Sequence, residues 1–297
     1  MRFFKSIWSG IMSVIIFFAV LFNPVAVSSD GVNLLSQDVF PFKKDAHAMT
    51  QGITTDGDYY YISGTKLYRN PPPFEENSQS LRKLDFKTKE LVAKNTDPIP
   101  DEYKDIGYNH IGGISYYDGK IYAPVEGTPN DEYIASIMVF DAQTLEFNGE
   151  YLALPFDSYP DGVPWLAVDG ETGLLYASMW EMAKTVYVYD THDSLKLVRE
   201  IPLTGVGVLD RIQGAEFYKG TLYLSSDNSR SRYKDVFKLD CETGEVSLAF
   251  TRDVGSDKVE AEGLTIWKAE DGSLFHVLDV TRAPVAFIHN YSIDGIE

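Results

Sequence analysis

The sequence contains one cysteine, Cys241, among its 297 residues, so no disulfide can form within the chain. Basic residues are also scarce: 26 lysines and arginines stand against 44 aspartates and glutamates, and the formal net charge is −18. A protein with this charge repels nucleic acid and anionic lipid, so nucleic acid is not expected as a partner. Cys241 follows Asp240 in a predicted turn and is interpreted as a bystander rather than a nucleophile.

Several short catalytic and cofactor motifs are absent as well. The sequence has no G-x-S-x-G nucleophile motif, no phosphate-binding loop and no dinucleotide-binding glycines, and its five histidines do not have zinc-ligand spacing. What it does have is 44% hydrophobic and 13% aromatic residues. This composition is sufficient to bury a large core and excludes disorder of the chain as a whole.

The first 28 residues are predicted to be a signal peptide. Two basic residues precede an apolar stretch, Ile7 to Phe22, and Ala26-Val27-Ser28 forms a small-residue site with cleavage after Ser28. The apolar stretch is shorter than the roughly 20 residues that a membrane span requires, although an uncleaved anchor helix is the alternative. We expect residues 29–297 to form a single secreted domain, extracellular or periplasmic, that is monomeric and not stably inserted in a membrane after cleavage.

A unit of about 50 residues recurs five times in the rest of the chain. Its clearest copy, Arg211 to Val246, has strand-like runs around the turns Lys219-Gly220 and Glu242-Thr243-Gly244. Period-2 alternation with many aromatic and β-branched residues predicts strands. The same register repeats at the end of the third strand of each copy, at Asp85, Asp141, Asp190, Asp240 and Asn290. These residues are interpreted as turn formers rather than as catalytic groups.

Repeats of this length with four short strands are typical of β-propeller blades. We therefore predict an all-β fold, a five-bladed β-propeller with blades at 49–100, 108–155, 162–203, 211–251 and 260–293. The fifth copy has no room for a fourth strand. The N-terminal run 32–42, VNLLSQDVFPF, is predicted to fill that position, which would close the ring and remove an exposed edge.

The repeat also predicts where functional side chains gather. The start of the innermost strand and the end of its antiparallel partner lie at the same end of each blade, close to the axis. The inner-strand starts carry Gln51, His110, Trp165, Gln213 and Glu262, with Arg211 just before Gln213. The partner strands end at Thr65, Glu126, Trp180, Asp227 and Asp279. In four copies a glycine follows the inner polar position, as expected where backbones crowd an axis: Gly52, Gly112, Gly214 and Gly263.

The residues leave three interpretations of this mouth open. In the first, the polar groups hydrogen-bond to water and loop backbone in a solvated channel, which any propeller contains. In the second, Asp227, Asp279, Glu262 and Glu126 bind Ca²⁺, because carboxylate oxygens are hard ligands that suit this ion. Gln51 and Gln213 can add carbonyl oxygens. No D-x-D-x-D-G calcium motif is present in the sequence.

In the third interpretation the mouth is catalytic. Glu262 or Glu126 acts as general acid or base and His110 carries a second proton. Ligand-binding groups would surround them, with two tryptophans as walls: Gln51, Trp165, Trp180, Arg211 and Gln213.

Two stretches carry a resemblance to a known family. The run 47–64, HAMTQGITTDGDYYYISG, with 81–91, LRKLDFKTKEL, resembles the opening of plant- and bacterial-type glutamine cyclotransferases. These are secreted five-bladed propellers that convert N-terminal glutamine to pyroglutamate, and EFYKGTLYLSS is similar to their corresponding blade. Their Glu-Gly-Trp-Gly segment is replaced here by VPWLAV, 163–168. On this resemblance Glu262 and Trp165 would have to substitute for it.

A second resemblance is to olfactomedin domains, extracellular five-bladed propellers with calcium in the central channel. The run 164–180, PWLAVDGETGLLYASMW, is similar to their recurrent blade, but the disulfide of that family is missing. The leading hypothesis from the sequence is a secreted propeller that binds a small molecule, a peptide or a protein at the channel mouth, with Ca²⁺ as a candidate ion. The alternative is a propeller enzyme, either a glutaminyl-peptide cyclotransferase-like enzyme or a metal-dependent hydrolase.

Overall fold

The computed structural model describes residues 26–39, 49–65, 79–129, 132–228, 230–281 and 285–297. Regular structure in these ranges is almost entirely β-strand, with one short helix, α1 (Asp101–Ile106). The N-terminal strand is β1 (Val32–Val39). Blade one consists of β2 (Met49–Thr55), β3 (Tyr59–Thr65), β4 (Gln79–Asp85) and β5 (Leu91–Asn95). Blade two consists of β6 (His110–Ile111), β7 (Ser115–Tyr117), β8 (Lys120–Gly127), β9 (Ile134–Asp141) and β10 (Phe147–Leu154).

The remaining three blades follow in chain order. Blade three consists of β11 (Leu166–Val168), β12 (Leu174–Ala177), β13 (Thr185–Asp190) and β14 (Lys196–Pro202). Blade four consists of β15 (Thr204–Gly205), β16 (Ile212–Tyr218), β17 (Thr221–Ser226), β18 (Tyr233–Leu239) and β19 (Glu245–Asp253). Blade five consists of β20 (Val259–Ile266), β21 (Phe275–Thr281) and β22 (Val285–Ile293). The predicted all-β, five-bladed β-propeller is therefore confirmed, with α1 in the connection between blades one and two.

Strand β1 completes blade five, as predicted. The order in this sheet is β1-β22-β21-β20, and β1 pairs antiparallel with β22 from Val32 opposite Ile293 to Val39 opposite Phe287. Residues 40–42 of the predicted closing run lie outside the described residues. Pairing of the first strand with the last covers the edge of β22 and joins the two ends of the ring.

Two blades differ in detail from the four-strand repeat. In blade two the inner strand is divided into β6 and β7, which both pair with β8. The division falls at Gly112-Gly113, because the N–H of Gly113 donates to Pro164 O of blade three instead of to its own sheet. In blade four the short strand β15 adds a parallel pair to the outer side of β19.

The end of the predicted signal peptide reaches the described part of the chain. Residues 1–25, including the apolar stretch, lie outside it. Ala26 is buried, the N–H of Val27 donates to Asp253 O at 3.0 Å, and Ser29 Oγ donates to Thr251 O at 3.2 Å. The segment before β1 thus lies along the outer strand of blade four. Among the described residues, no helix combines the length and the apolar character needed to cross a bilayer.

The turn residues behave as the repeat predicts. Asp85, Asp141, Asp190 and Asp240 each accept a backbone N–H two residues later through Oδ1. In the hairpins of blades two and four, Asp118-Gly119 and Lys219-Gly220 have positive φ at both residues, as type I′ turns require. Asn290 departs from the pattern because it lies within β22, where its amide donates to Ser36 Oγ and Asp38 Oδ2 of β1. The fifth copy of the register residue therefore fastens the closing strand.

Among the described residues, the buried hydrophobic side chains form five separate cores, each between two adjacent blades. Strand β13, TVYVYD, shows why each core lies between two blades. Val186 and Val188 are fully buried against blade four, while Tyr187 packs on the opposite face, toward blade two. Side chains alternate between the two faces of a strand, and both faces of a blade meet a neighbour. The cores therefore leave only the inner-strand ends and the connecting loops free for a site.

Candidate functional site

Four glycines bring the inner strands into backbone contact at the axis. A Cβ added to Gly52 would lie 2.7 Å from Gly113 Cα, and a Cβ added to Gly214 would lie 2.8 Å from Gly263 Cα. Two further close approaches connect the inner strands around the axis: Gly263 lies against the backbone of Gly52, and Gly113 lies against the carbonyl oxygen of Gln213. We call these four residues the glycine belt. The sequence pointed to Gly112 in blade two, but Gly113 occupies the equivalent position.

The glycine belt divides the channel into two sides. On one side, which we call the mouth side, lie the residues that precede the glycines, including Gln51, Gln213 and Glu262. On the far side lie Glu216 and the threonines that follow two of the glycines. Since the belt leaves no room for a side chain at the axis, the two sides are separate environments with separate chemistry.

Three of the predicted site residues are joined on the mouth side by blades one and two. His110 Nε2 lies 2.9 Å from Gln51 Oε1, and His110 Nδ1 lies 3.0 Å from Glu126 Oε1. His110 and Glu126 face each other in the register of β6 and β8. Glu126 Oε2 accepts the backbone N–H of Val163 at 2.8 Å, which fixes the carboxylate against blade three. The imidazole is therefore held between an amide and a carboxylate.

Arg211 and Trp180 form a second group. The guanidinium Cζ lies 4.6 Å from the centre of the Trp180 ring, Nη2 lies 3.1 Å from Asp227 Oδ2, and Nη1 lies 3.5 Å from Glu181 Oε1. The backbone of Arg211 has φ of +53°, which is uncommon for a residue with a side chain. Backbone hydrogen bonds to Trp180 O and from the N–H of Asp227 hold it there. Strained backbone of this kind clusters at binding and catalytic sites.

Two buried ion pairs lie where blades four and five meet. Asp227 binds Lys234 Nζ at 2.6 Å, and this lysine is 1% exposed. Asp279 binds both terminal nitrogens of Arg252, at 2.8 and 3.1 Å, and also contacts His289 Nδ1. The Arg252 and His289 contacts lower the pKa of Asp279 to about 2, although burial acts in the opposite direction. Asp279 is therefore held as a carboxylate.

These pairs bear directly on the calcium hypothesis. The oxygens of Asp227 and Asp279 already bind lysine, arginine and histidine nitrogens, and Ca²⁺ takes six to eight oxygen ligands with carboxylates free to coordinate it. In the described ranges, no group of three or more His, Cys, Asp or Glu side chains has a geometry suited to a metal ion. The predicted ligands Asp227, Asp279 and Glu262 do not fit Ca²⁺ in this arrangement.

Glu262 is the predicted residue with the most unusual surroundings. It is 2% exposed, and no described residue forms a hydrogen bond with its Oε2. Burial raises the pKa of Glu262 well above its usual range, the charges of Glu260, Asp227 and Asp279 add to this effect, and Arg211 opposes it. These causes favour the neutral, protonated acid. A buried carboxylic acid with an unpartnered oxygen thus lies next to the axis.

The other predicted residues are placed differently. Trp165 is completely buried, with 0% of its surface exposed. Its Nε1 donates to Ser178 Oγ at 3.1 Å, and its side chain belongs to the core between blades three and four. This burial differs from the expected role of Trp165 as a wall of the site. Gln213 is partly exposed and lies at the level of Gln51 and Glu262.

Sequence reasoning did not identify four of the ionisable groups around the channel: Glu216, Lys234, Arg252 and His289. The last three lie on β18, β19 and β22, outside the inner hairpins on which the prediction concentrated. The sequence did contain a signal for Glu216, because an acidic residue between Ala215 and Phe217 is unusual in a mainly apolar inner strand.

Glu216 lies on the far side of the glycine belt. Its Oε2 accepts hydrogen bonds from Thr54 Oγ1 at 3.4 Å and from Thr265 Oγ1 at 3.3 Å, which brings together blades four, one and five. Burial raises the pKa of Glu216 to about 8, while these hydrogen bonds and that of the Phe217 N–H oppose the shift. The far side therefore holds a second carboxyl group that favours the protonated form.

The raised pKa of Glu216 predicts a pH-dependent stability. The folded protein favours the protonated acid, so its stabilising effect is complete below the unfolded pKa of 4.5 and is lost as the pH rises toward about 8. We expect this group to make the protein less stable at pH 8 than at pH 5 by about 2 kcal/mol, a value reduced to allow for solvent screening. Urea unfolding of the Glu216→Gln variant should lack this component.

The matched comparison is Glu171→Gln, which changes an exposed glutamate in a hairpin loop and should keep the wild-type pH dependence. If Glu216→Gln and wild type lose the same stability between pH 5 and pH 8, the carboxyl group is ionised throughout and this assignment is wrong.

No known protein-family profile matches the sequence, and no curated protein matches it. Solved structures do match the fold. A β-xylosidase shares 12% identity over 86% of this chain and 94% of its own, with a TM-score of 0.60. A GH43_1 enzyme from Xanthomonas citri shares 12% identity over 93% of this chain and 92% of its own, with a TM-score of 0.54. The native arabinanase of Bacillus subtilis shares 13% identity over 85% of this chain and 97% of its own, with a TM-score of 0.53.

At this level of identity the matches establish the fold alone. They support the five-bladed propeller that both sequence resemblances implied. They give no support to the glutamine cyclotransferase resemblance or to the olfactomedin resemblance, since these three structures are a β-xylosidase, a GH43_1 enzyme and an arabinanase.

Proposed function

We propose that this protein is a secreted propeller that binds a small polar ligand on the mouth side of the channel, with Glu262 at the base of the site. The observation that carries the proposal is the buried Oε2 of Glu262, which forms no hydrogen bond with any described residue. A buried polar atom without a hydrogen bond costs about 1–3 kcal/mol. Such atoms are rare in folded proteins, and a bound ligand is one way in which they are satisfied.

The surroundings of Glu262 support a polar ligand. On one flank, Arg211 and Trp180 offer a cation and an indole N–H next to an aromatic ring. On the other flank, the contact between His110 and Gln51 links blades one and two at the same level of the channel. A small number of polar groups that converge from neighbouring elements is typical of small-molecule sites.

A second candidate function, hydrolysis by acid–base catalysis, is favoured by the burial of Glu262, which raises the pKa of its carboxyl group. A carboxylic acid kept neutral by burial is suited to donate a proton to a leaving group, and the His110–Glu126 pair could accept one. A β-xylosidase and an arabinanase share this fold, so pentose glycosides are the first substrates to test.

The Glu262→Gln variant tests the proposed function. The change keeps the size of the side chain but removes the acid hydroxyl, so we expect about tenfold weaker binding of any ligand that contacts Oε2. Thermal-shift and calorimetric titrations would use xylose, arabinose, glucose, glucuronate, glutamate and a glutaminyl dipeptide. At least one compound should bind wild type and bind the variant more weakly.

Glu216→Gln is the matched control, because it makes the same substitution on an inner strand but on the far side of the glycine belt. It should leave ligand affinity unchanged. Binding that is equal in wild type and Glu262→Gln, or the absence of binding by every compound, would contradict the proposed function. Hydrolysis of nitrophenyl xylosides and arabinofuranosides by wild type, but not by Glu262→Gln, would favour the enzymatic candidate.

A further inference from the structure

Two aspartates on the mouth side are occupied by partners within the protein. Asp161 accepts the backbone N–H of Trp180 through Oδ1 and that of Glu181 through Oδ2, at 3.1 and 2.8 Å. Asp210 accepts the N–H of Met182 at 3.1 Å. These aspartates fix the loop that carries Trp180, and their carboxylates are committed to that task.

Three donors around the same opening lack a good hydrogen-bond partner among the described residues. Trp180 Nε1 is buried and has no hydrogen-bond partner among the described residues. An indole nitrogen can only donate, so its partner must be an acceptor. Arg211 Nη1 lies 3.5 Å from the exposed Glu181, which is longer than a good charged hydrogen bond. Glu262, as a neutral acid, adds a hydroxyl donor.

These donors specify the chemistry of the missing partner, which must supply hydrogen-bond acceptors. A group with several acceptor oxygens in one plane can accept from an arginine, an indole N–H and a carboxylic acid together. Arginine binds carboxylates particularly well because its terminal nitrogens match their two oxygens. A neutral hydroxyl offers fewer acceptor sites and no charge to pair with Arg211.

We propose that the ligand of this site carries a carboxylate, which is received by Arg211 and Trp180 Nε1 with Glu262 as a third donor. The inference rests on the proposed function, since it concerns the same mouth-side site. The carboxylate replaces Glu181 as the partner of Arg211 Nη1, while Nη2 stays on Asp227. The class that fits is a small polar carboxylate, of the uronate or amino-acid type.

Glucuronate and glucose are a matched probe pair, because they differ by a carboxylate in place of a hydroxymethyl group. Calorimetry on the full folded chain should give at least tenfold tighter binding for glucuronate, or for glutamate if the ligand is of the amino-acid type. Arg211→Gln should abolish the preference for the carboxylate. Trp180→Phe keeps an aromatic ring and removes the indole N–H, so it should reduce the preference for the carboxylate several-fold. This variant still tests the inference if Arg211→Gln does not fold.

Arg199→Gln is the control, since it removes an exposed arginine on the outer strand of blade three. Its carboxylate preference should equal that of wild type. Binding of a neutral sugar that depends on Glu262, with no gain from the carboxylate, overturns this inference and leaves the proposed function standing. If neither acetate, glucuronate nor glutamate binds, the inference is overturned, and if the neutral sugars also fail, the proposed function fails with it.

Discussion

Replacing Arg252 by methionine should lower the free energy of unfolding by about 3–5 kcal/mol at neutral pH. Arg252 and Asp279 are both fully buried, and the guanidinium binds both carboxylate oxygens. Removing the cation leaves a buried carboxylate that keeps its contact with His289 but has lost its arginine partner. Breaking a buried pair from one side is far more damaging than replacing both partners. Urea unfolding followed by tryptophan fluorescence measures this loss.

The acid limb of the stability curve gives an independent check. Because the pKa of Asp279 is lowered to about 2, its stabilising effect is present above the unfolded value of 3.8 and is lost as the pH falls toward 2. This component amounts to about 2 kcal/mol in wild type and should shrink in Arg252→Met.

Two further variants serve as controls for the expected loss of stability in Arg252→Met. The double variant Arg252→Met, Asp279→Leu should recover much of the lost stability, because no unpaired charge remains. Arg199→Met, at an exposed arginine, should lie within about 0.5 kcal/mol of wild type. A loss below about 1 kcal/mol for Arg252→Met would show that water or another group compensates Asp279.

The second large effect is expected at the glycine belt. A Cβ on Gly263 would lie 2.6 Å from the backbone nitrogen of Ile53 and 3.0 Å from the carbonyl carbon of Gly52. Both obstacles are backbone of another blade, so the clash can be relieved only by moving an inner strand. We expect Gly263→Ala to lower the free energy of unfolding by about 2–4 kcal/mol, measured by thermal and urea unfolding.

Gly170→Ala is the control for this prediction. Gly170 is in the hairpin turn of blade three, and a Cβ there meets nothing within 4 Å. Its φ does not lie in the left-handed region, so alanine should be tolerated or slightly stabilising. Equal stability of the two variants would mean that the inner strands can separate at the axis without cost.

The repeat in the sequence predicted the architecture because each blade is built from local signals. Hairpin turns such as Asp118-Gly119 require positive φ, and aspartates such as Asp141 form their hydrogen bonds within the next three residues. Apolar alternation then determines which face of each strand is buried. Closure by β1 was also predictable, because the fifth repeat lacks a strand and a suitable run remained at the N-terminus.

The candidate site was predicted less completely, since its chemistry depends on contacts between blades. The pairing of His110 with Glu126 follows from strand order, and the sequence placed both at the mouth. The contact of His110 with Gln51 depends on the packing of the neighbouring blade, blade one. The sequence could not show that Lys234 and Arg252 neutralise the two aspartates expected to bind Ca²⁺, because those cations lie on outer strands with no periodic signature.

The sequence by itself determined the number of blades, their turns, the closing strand and the end of the channel where polar groups collect. These features follow from backbone geometry and from the alternation of side chains within short segments. Only the tertiary structure decided that Trp165 is core and that Glu216 is separated from Glu262 by the glycine belt. It also decided that Glu262 Oε2 is buried without a hydrogen-bond partner among the described residues. The charge and hydrogen bonding of a carboxyl group depend on what other blades bring against it, and that proximity is set by the packing of the whole ring.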